Sequence, residues 1–146
     1  MKNIIIPFDF SHNSRNALEY SAQFAKRMQS VLHIFHAYDR SEVLEGVKVA
    51  TTISAMEDTR TKMIRQFDLT EDQVQSHVIQ GEFIEEIIQF FESNKIDLIA
   101  IGTRGASGLR ELLVGSNTVQ LMQEVRGIPM LVVPEKADFN LLGNIL

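Results

Sequence analysis

The sequence predicts an α/β fold: a single domain built on an open, parallel, five-stranded sheet with helices on both faces. Three observations carry this reading. Five short strand-like runs alternate with stretches whose apolar residues recur every three to four positions, and such alternation builds parallel sheets through right-handed crossovers. In residues 3–8, a run rich in β-branched residues, apolar residues do not alternate with polar ones, the pattern of a strand covered on both faces. The 146 residues, 45% hydrophobic and 23% charged, suit one domain with a packed core rather than a disordered chain. A chain of this length buries roughly 68–70% of its unfolded surface.

The elements follow in order. Residues 3–8 (Asn-Ile-Ile-Ile-Pro-Phe) form the first strand, with Pro7 near its end, where a missing N–H is tolerable. Ser11 or Asn13 caps the helix that follows, its side-chain oxygen accepting an orphan backbone N–H. Ala17/Leu18, Ser21/Ala22, Phe24/Ala25 and Met28 mark that helix's apolar face. Residues 31–38 are the second strand, and residues 39–46 read as a polar loop. A second helix runs from about Val49 to Phe67, with Ala50, Ile53, Met56, Arg60, Met63/Ile64 and Phe67 down one side. Glu71 and Asp72, after Thr70, read as the start of a turn rather than a catalytic pair. Residues 75–79 are a weaker third strand. After Gly81, the pairs Phe83/Ile84, Ile87/Ile88 and Phe90/Phe91 form a helical stripe. Residues 96–101 are the fourth strand, residues 116–125 the last helix, and Gly127-Ile128-Pro129 a turn. Met130-Leu131-Val132-Val133 is the fifth strand, stopped by Pro134, and residues 135–146 show no clear element.

Composition excludes several functions. Zero Cys removes disulfides, thiolate metal sites and Cys nucleophiles. A net charge of −5 counts against nucleic acid as a partner, because phosphate binding there needs clustered Lys and Arg. No stretch approaches the ~20 apolar residues of a membrane span. The opening apolar run is too short for a secretory signal, so a cytoplasmic location is expected. His12, His33, His36 and His77 lack metal-ligand spacing; His33 and His36 stand on opposite faces of a strand and read as core or sheet-edge histidines. Glu85 and Glu86 read as solvated charge.

One segment carries chemistry. Four of the eight glycines, Gly102, Gly105, Gly108 and Gly115, fall within fourteen consecutive residues, after the fourth strand and before a helix that opens with Ser116. In open parallel sheets, ligands bind beyond the carboxyl ends of the strands, near the point where strand order reverses. Glycine lets backbone N–H groups approach an anion, and a helix N-terminus adds unpaired N–H groups and partial positive charge. Ser116 and Thr118 bring hydroxyls and Arg104 a cation, a set that suits a phosphate chain. The segment is neither G-x-x-x-x-G-K-[ST] nor G-x-G-x-x-G. Gly105-Ala106-Ser107-Gly108 is not a nucleophile elbow, and no Ser/His/Asp set can be assembled. A receiver-domain reading needs adjacent acids after the first strand and a Lys after the last; here there is only Asp9 and no suitable Lys.

Gly102-x2-Gly105-x9-Gly115-Ser116 resembles the G-2x-G-9x-G-[ST] pattern of nucleotide-binding universal stress proteins. The opening Ile4-Ile5-Ile6-Pro7-Phe8-Asp9-Phe10-Ser11, the second strand ending His36-Ala37 and the segment 129–134 are similar to that family's first, second and last strands, so the likeness covers residues 2–134. It implies a Rossmann-like fold of the adenine nucleotide alpha hydrolase kind that binds ATP and dimerises. By matched position, Asp9 would bond the ribose or adenine, while Pro7, Ala37 and Ile101 would line the adenine pocket. Gly102, Arg104, Gly105, Gly115, Ser116, Asn117 and Thr118 would hold the ribose and phosphates.

The expected function is therefore an ATP-binding, nucleotide-responsive stress or regulatory module, with slow hydrolysis at most. No residue is offered as a general base and none as a metal ligand; Mg²⁺ would ride on the phosphates. The partners expected are an adenine nucleotide and a second copy paired through residues 130–133, an apolar strand at a sheet edge. An ATP-independent dimeric scaffold of the same fold, and an ATPase or nucleotidyl-transferring enzyme, are the competing readings. The domain spans residues 1–146, with a core of 2–134 and a tail of 135–146 that serves as a dimer arm or leads into a further domain. The segment 39–55 is the stretch loose enough to close over a ligand.

Overall fold

The apolar runs pair into one parallel sheet. The computed structural model describes residues 2–41, 49–103 and 115–139. Its strands are β1 (Asn3–Pro7), β2 (Val31–Tyr38), β3 (Val74–Gln80), β4 (Leu98–Thr103) and β5 (Met130–Pro134). Its helices are α1 (His12–Met28), α2 (Val49–Phe67), α3 (Phe83–Asn94) and α4 (Ser116–Glu124), with a 3₁₀ turn at Glu71–Gln73. Strand order is β3-β2-β1-β4-β5, parallel throughout. The chain steps outward from β1 to β2 and β3, then returns to β1's other side for β4 and β5. Order thus reverses between β1 and β4, and a crevice opens at their carboxyl ends.

The strand pleat sorts side chains between two cores. Ile4 and Ile6 of β1 and Leu32 and Ile34 of β2 meet Leu18 and Ala22 of α1 and Met56 and Met63 of α2. Ile5, Phe35, Ile99 and Ile101 point the other way, onto Ile84, Ile87 and Phe90 of α3 and Leu121 of α4. That double covering is why the strands read as continuous apolar runs. Among the described residues, no helix is long and apolar enough to cross a membrane.

Helix ends are set by local chemistry. Ser11 caps α1, its Oγ accepting from the Ser14 N–H at 3.2 Å. Gln29, at φ 53°, turns the chain out of α1. Glu82 caps α3, accepting from the Glu85 N–H at 3.0 Å.

The fourth strand and the face of α2 differ from expectation. The fourth strand begins at Leu98 rather than Ile96, because the Asp97 carboxylate accepts from the backbone N–H groups of Lys2 and Asn3, both at 2.9 Å, and so forms a tight entry loop. The strand continues through Gly102 and Thr103, which pair with Val133 and Pro134 of β5. Thus Gly102 lies within the sheet, not in the loop after it. In α2, Ile53 is 51% exposed, and only Met56 and Met63 are fully buried. Residues 42–48, 104–114 and 140–146, with much of the 39–55 segment and most of the tail, lie outside the described residues. The described start of the tail folds onto α1, with the Phe139 ring edge-on to Tyr20 at 5.3 Å.

Candidate functional site

A cleft of about 290 Å³ opens at the reversal of strand order. Pro7, Phe8 and Asp9 enter it from the end of β1, and Phe35, His36 and Ala37 from the end of β2. The first turn of α1 adds Ser11, Asn13 and Ser14, and α3 adds Phe83. Ile101 and Gly102 come from β4, and Gly115, Asn117 and Thr118 from the start of α4. A larger, shallow depression on the outer side of α2, about 470 Å³, is lined by Asp58, Thr61, Lys62, Arg65 and Gln66. It is an open helix surface bearing mixed charge, remote from any strand end, and we assign it no function.

Asp9 is held before any ligand arrives. Phe10, at φ 64°, makes the sharp exit from β1. This brings the Asp9 Oδ1 to the Ser11 N–H and the Ser14 hydroxyl, which donate to it at 2.9 Å each. Burial pushes the Asp9 carboxyl up, but the hydrogen bonds from Ser11 and Ser14 outweigh it and hold it below the usual carboxylate value. At neutral pH Asp9 is an anion and accepts hydrogen bonds only.

The opposite wall has the reverse polarity. Gly115 is the N-cap of α4, at φ −65° and ψ 155°, and gives the helix no side-chain cap. Among the described residues no side chain caps the first-turn N–H groups, which have no intrahelical acceptor, and helix-end partial charge adds to them. Among the described residues, nothing stands within 4 Å of a Cβ built on Gly115, so they leave the backbone there open to approach. Gly102 differs: its Cβ would stand 2.1 Å from the Asn13 carbonyl oxygen. Glycine at 102 lets α1 lie close against β4 and so fixes the distance between Asn13, Ser14 and the β4 end. His36 is fixed from behind, its Nδ1–H donating to the Phe8 carbonyl at 2.7 Å, with its ring against Phe10.

Of the residues singled out by sequence, Pro7, Asp9, Ala37, Ile101, Gly102, Gly115, Asn117 and Thr118 line one cleft. Ser116 opens α4 and is exposed, but it is not among the lining residues. Arg104 and Gly105 lie outside the described residues. The reading missed Phe8, Ser11, Asn13, Ser14, Phe35, His36 and Phe83 as walls. Ser11 and Asn13 carried a signal, since they were cap candidates beside Asp9. Phe83 carried none, because only the β3-β2-β1 order brings the start of α3 to this point. Among the described residues no group of three or more His, Asp or Glu side chains is placed to hold a metal ion.

The Universal stress protein family model matches residues 1–134. Universal stress protein MJ0531 of Methanocaldococcus jannaschii is 27% identical over 90% of this chain and 81% of its own. The universal stress protein of Archaeoglobus fulgidus solved in complex with dAMP aligns with a TM-score of 0.64, at 16% identity, covering 91% of this chain and 98% of its own. A universal stress protein solved in complex with cAMP aligns at 0.67, with 17% identity, covering 92% and 98%.

Proposed function

We propose, from the premise that this chain belongs to the universal stress protein family, that it binds an adenine nucleotide, ATP by preference, in the β1–β4 cleft and acts as a nucleotide-responsive stress module. The observation that carries the reading is the polarity of the cleft: an ionised, acceptor-only Asp9 on one wall and an uncapped helix N-terminus on the other. A nucleotide presents hydrogen-bond donors on its ribose and base and acceptors on its phosphates. Asp9 takes a ribose hydroxyl or the adenine amine. Pro7, Ala37 and Ile101 pack the base. The phosphates lie along Gly102, Gly115, Ser116, Asn117 and Thr118, with Arg104 and Gly105 completing the cradle. Relatives of the same fold solved with dAMP and cAMP support adenine as the base.

In this reading hydrolysis is slow at most, and Mg²⁺ enters on the phosphates. The protein works in the cytoplasm as a dimer joined through β5, with residues 1–146 as one domain. Binding of the nucleotide alters a surface beside the cleft that a partner reads.

The test is mass spectrometry of the purified protein for co-purifying nucleotide, with calorimetry against ATP, ADP and AMP with Mg²⁺. Micromolar binding of ATP, lost in Gly115→Val, is expected. A wild type that carries no nucleotide and binds none would instead establish the ATP-independent dimeric scaffold.

A further inference from the structure

We propose that His33 and His77 form an acid-opened latch that holds α3 on the sheet and, through α3, ties the wall of the nucleotide cleft to pH. The cleft part of this inference rests on the nucleotide reading above; the latch itself does not.

Asn3, His33 and His77 stand on three neighbouring strands, β1, β2 and β3, on the face that α3 covers. His33 is 4% exposed. Its Nε2 lies 3.0 Å from the Asn3 Oδ1, and its Nδ1 lies 3.0 Å from the His77 Nε2. The Asn3 amide is oriented by its Nδ2, which donates to the Lys95 carbonyl at 3.5 Å. That orientation leaves its Oδ1 as an acceptor, so His33 carries its proton on Nε2. The His33 Nδ1 is then a lone pair, and it accepts from the His77 Nε2–H. Every proton in this chain has a place when both rings are neutral. One added proton can be shared between the His33 Nδ1 and the His77 Nε2 once His77 carries its own proton on Nδ1; a second would set N–H against N–H, with two positive rings facing each other at 3.0 Å.

Among the described residues no carboxylate pairs with either ring to compensate such a charge. β1 offers Asn3, β3 offers Gln75 beside His33 in register, and α3 offers the Phe90 ring. The Asp97 carboxylate is taken by the Lys2 and Asn3 N–H groups, and Glu86 of α3 lies against Gly81. Glu85 and Glu92 of α3 are exposed, and His36 lies on the other face of β2. Burial lowers His33 to about 4, with His77 adding to the fall, and burial lowers His77 as well.

The pair is coupled to the cleft through aromatic contacts. The Phe90 ring stands edge-on to His77 at 4.6 Å, to His33 at 5.5 Å and to Phe35 at 5.4 Å. Phe35 meets Phe83 at 6.4 Å, and both of these rings wall the cleft. Lifting α3 from the histidines therefore moves Phe83.

The sign follows from linkage. Released rings titrate near the ordinary 6.5, whereas the paired rings stay neutral further into acid. The hold on α3 is complete above about pH 6.5 and weakens as pH falls toward 4. At pH 5 release of His33 alone favours the open state by about 30-fold over its neutral-pH population, and His77 acts in the same direction. A nucleotide that needs Phe83 in place pulls the equilibrium back by the same coupling.

The test is amide hydrogen exchange of the full, nucleotide-free chain at pH 7.5 and 5.0, corrected for intrinsic rates. Residues 87–91 of α3 should lose about 30-fold or more in protection relative to α1, and the double variant His33→Gln, His77→Gln should lose this pH dependence. Equal protection at both pH values, or the same loss in the double variant, would overturn the latch. Imidazole ¹⁵N spectra of the wild type give a check independent of any variant: both rings neutral and protonated on Nε2 at pH 6.5 are expected, and a charged ring there overturns the proposal. Calorimetry with ATP and Mg²⁺ at pH 7.5 separates the two readings, since failure to bind there defeats the nucleotide site while exchange still reports on α3. Where ATP binds, saturating ATP should restore α3 protection at pH 5.0, and no restoration would sever the latch from the cleft.

Discussion

Gly102 and Gly115 are the same residue for opposite reasons. A Cβ at 102 would stand 2.1 Å from the Asn13 carbonyl oxygen, a backbone atom that moves only if α1 moves. Gly102→Ala should therefore cost about 3 kcal/mol in chemical denaturation, the upper part of the usual overpacking range. At Gly115 the backbone angles suit any residue, and among the described residues a Cβ meets nothing. Gly115→Val should stay within about 1 kcal/mol of wild type in stability, yet lose at least about tenfold in ATP affinity, because a branched side chain then occupies the space the phosphates need. An unfolded Gly115→Val protein would contradict the open geometry; full ATP affinity in it would contradict the phosphate assignment. Asp9 gives a pH signature. Its folded value lies below the ordinary 3.8, so its contribution is present above about pH 4 and is lost as pH falls through the folded value. Asp9→Asn should lower stability by no more than about 1 kcal/mol at pH 7, since solvent screens the partly exposed carboxylate. The difference should vanish near pH 2; one that persisted there would mean that Asp9 acts through packing instead of charge.

At the scale of elements, helix ends were the most legible feature and strand ends the least. Ser11 was readable as a cap because capping is local: a side-chain oxygen three residues before an orphan N–H. Ser11→Ala should cost about 1 kcal/mol, a fall in melting temperature of roughly 2–4 °C for a chain of this size, with no change in the backbone bond from the Ser11 N–H to Asp9. An unchanged melting curve would show that Ser14 and Asp9 hold the turn without the cap. The start of β4 was misread at Ile96 because the deciding group is the Asp97 carboxylate, and its partners, the Lys2 and Asn3 amides, lie more than ninety residues away in sequence. The helical stripe of α2 was overread for a related reason. Arg60 in that stripe reaches out to the Val74 carbonyl at 2.6 Å and the Glu71 carboxylate at 2.7 Å, so its side chain clips the helix to the β3 entry while Ile53 faces water. The cleft divides along the same line. Asp9 was legible from its place just beyond the first strand, and Ala37 and Gly102 through the family likeness. Phe83 was hidden because its place depends on which strands are neighbours.

For the whole molecule, the two edges of the sheet are chemically unlike, and that asymmetry bears on the proposed dimer. β3 closes one edge with Gln75, Ser76, His77 and Gln80 among its seven residues. β5 closes the other with Met130, Leu131, Val132 and Val133. Leu121 packs α4 on the same face as Met130 and Val132, while Val119 and Met122 of that helix are 42% and 38% exposed. An apolar edge with unpaired backbone groups pairs with another chain unless it is blocked. The ladder shows which groups face outward. The Ile99 N–H donates to the Pro129 carbonyl at 3.0 Å, and alternation along β5 then turns Leu131 and Val133 toward β4 and leaves the N–H and C=O of Met130 and Val132 on the open side. Val132→Pro removes one outward N–H without breaking a β4–β5 bond, a change an exposed edge tolerates. Sedimentation at micromolar concentration should find the wild type a dimer and Val132→Pro a monomer with an unaltered circular dichroism spectrum. A monomeric wild type ends the β5 reading. A variant that stays dimeric moves the interface off the strand backbone and onto another surface, and Val119→Glu with Met122→Glu then decides whether that surface is the outer face of α4.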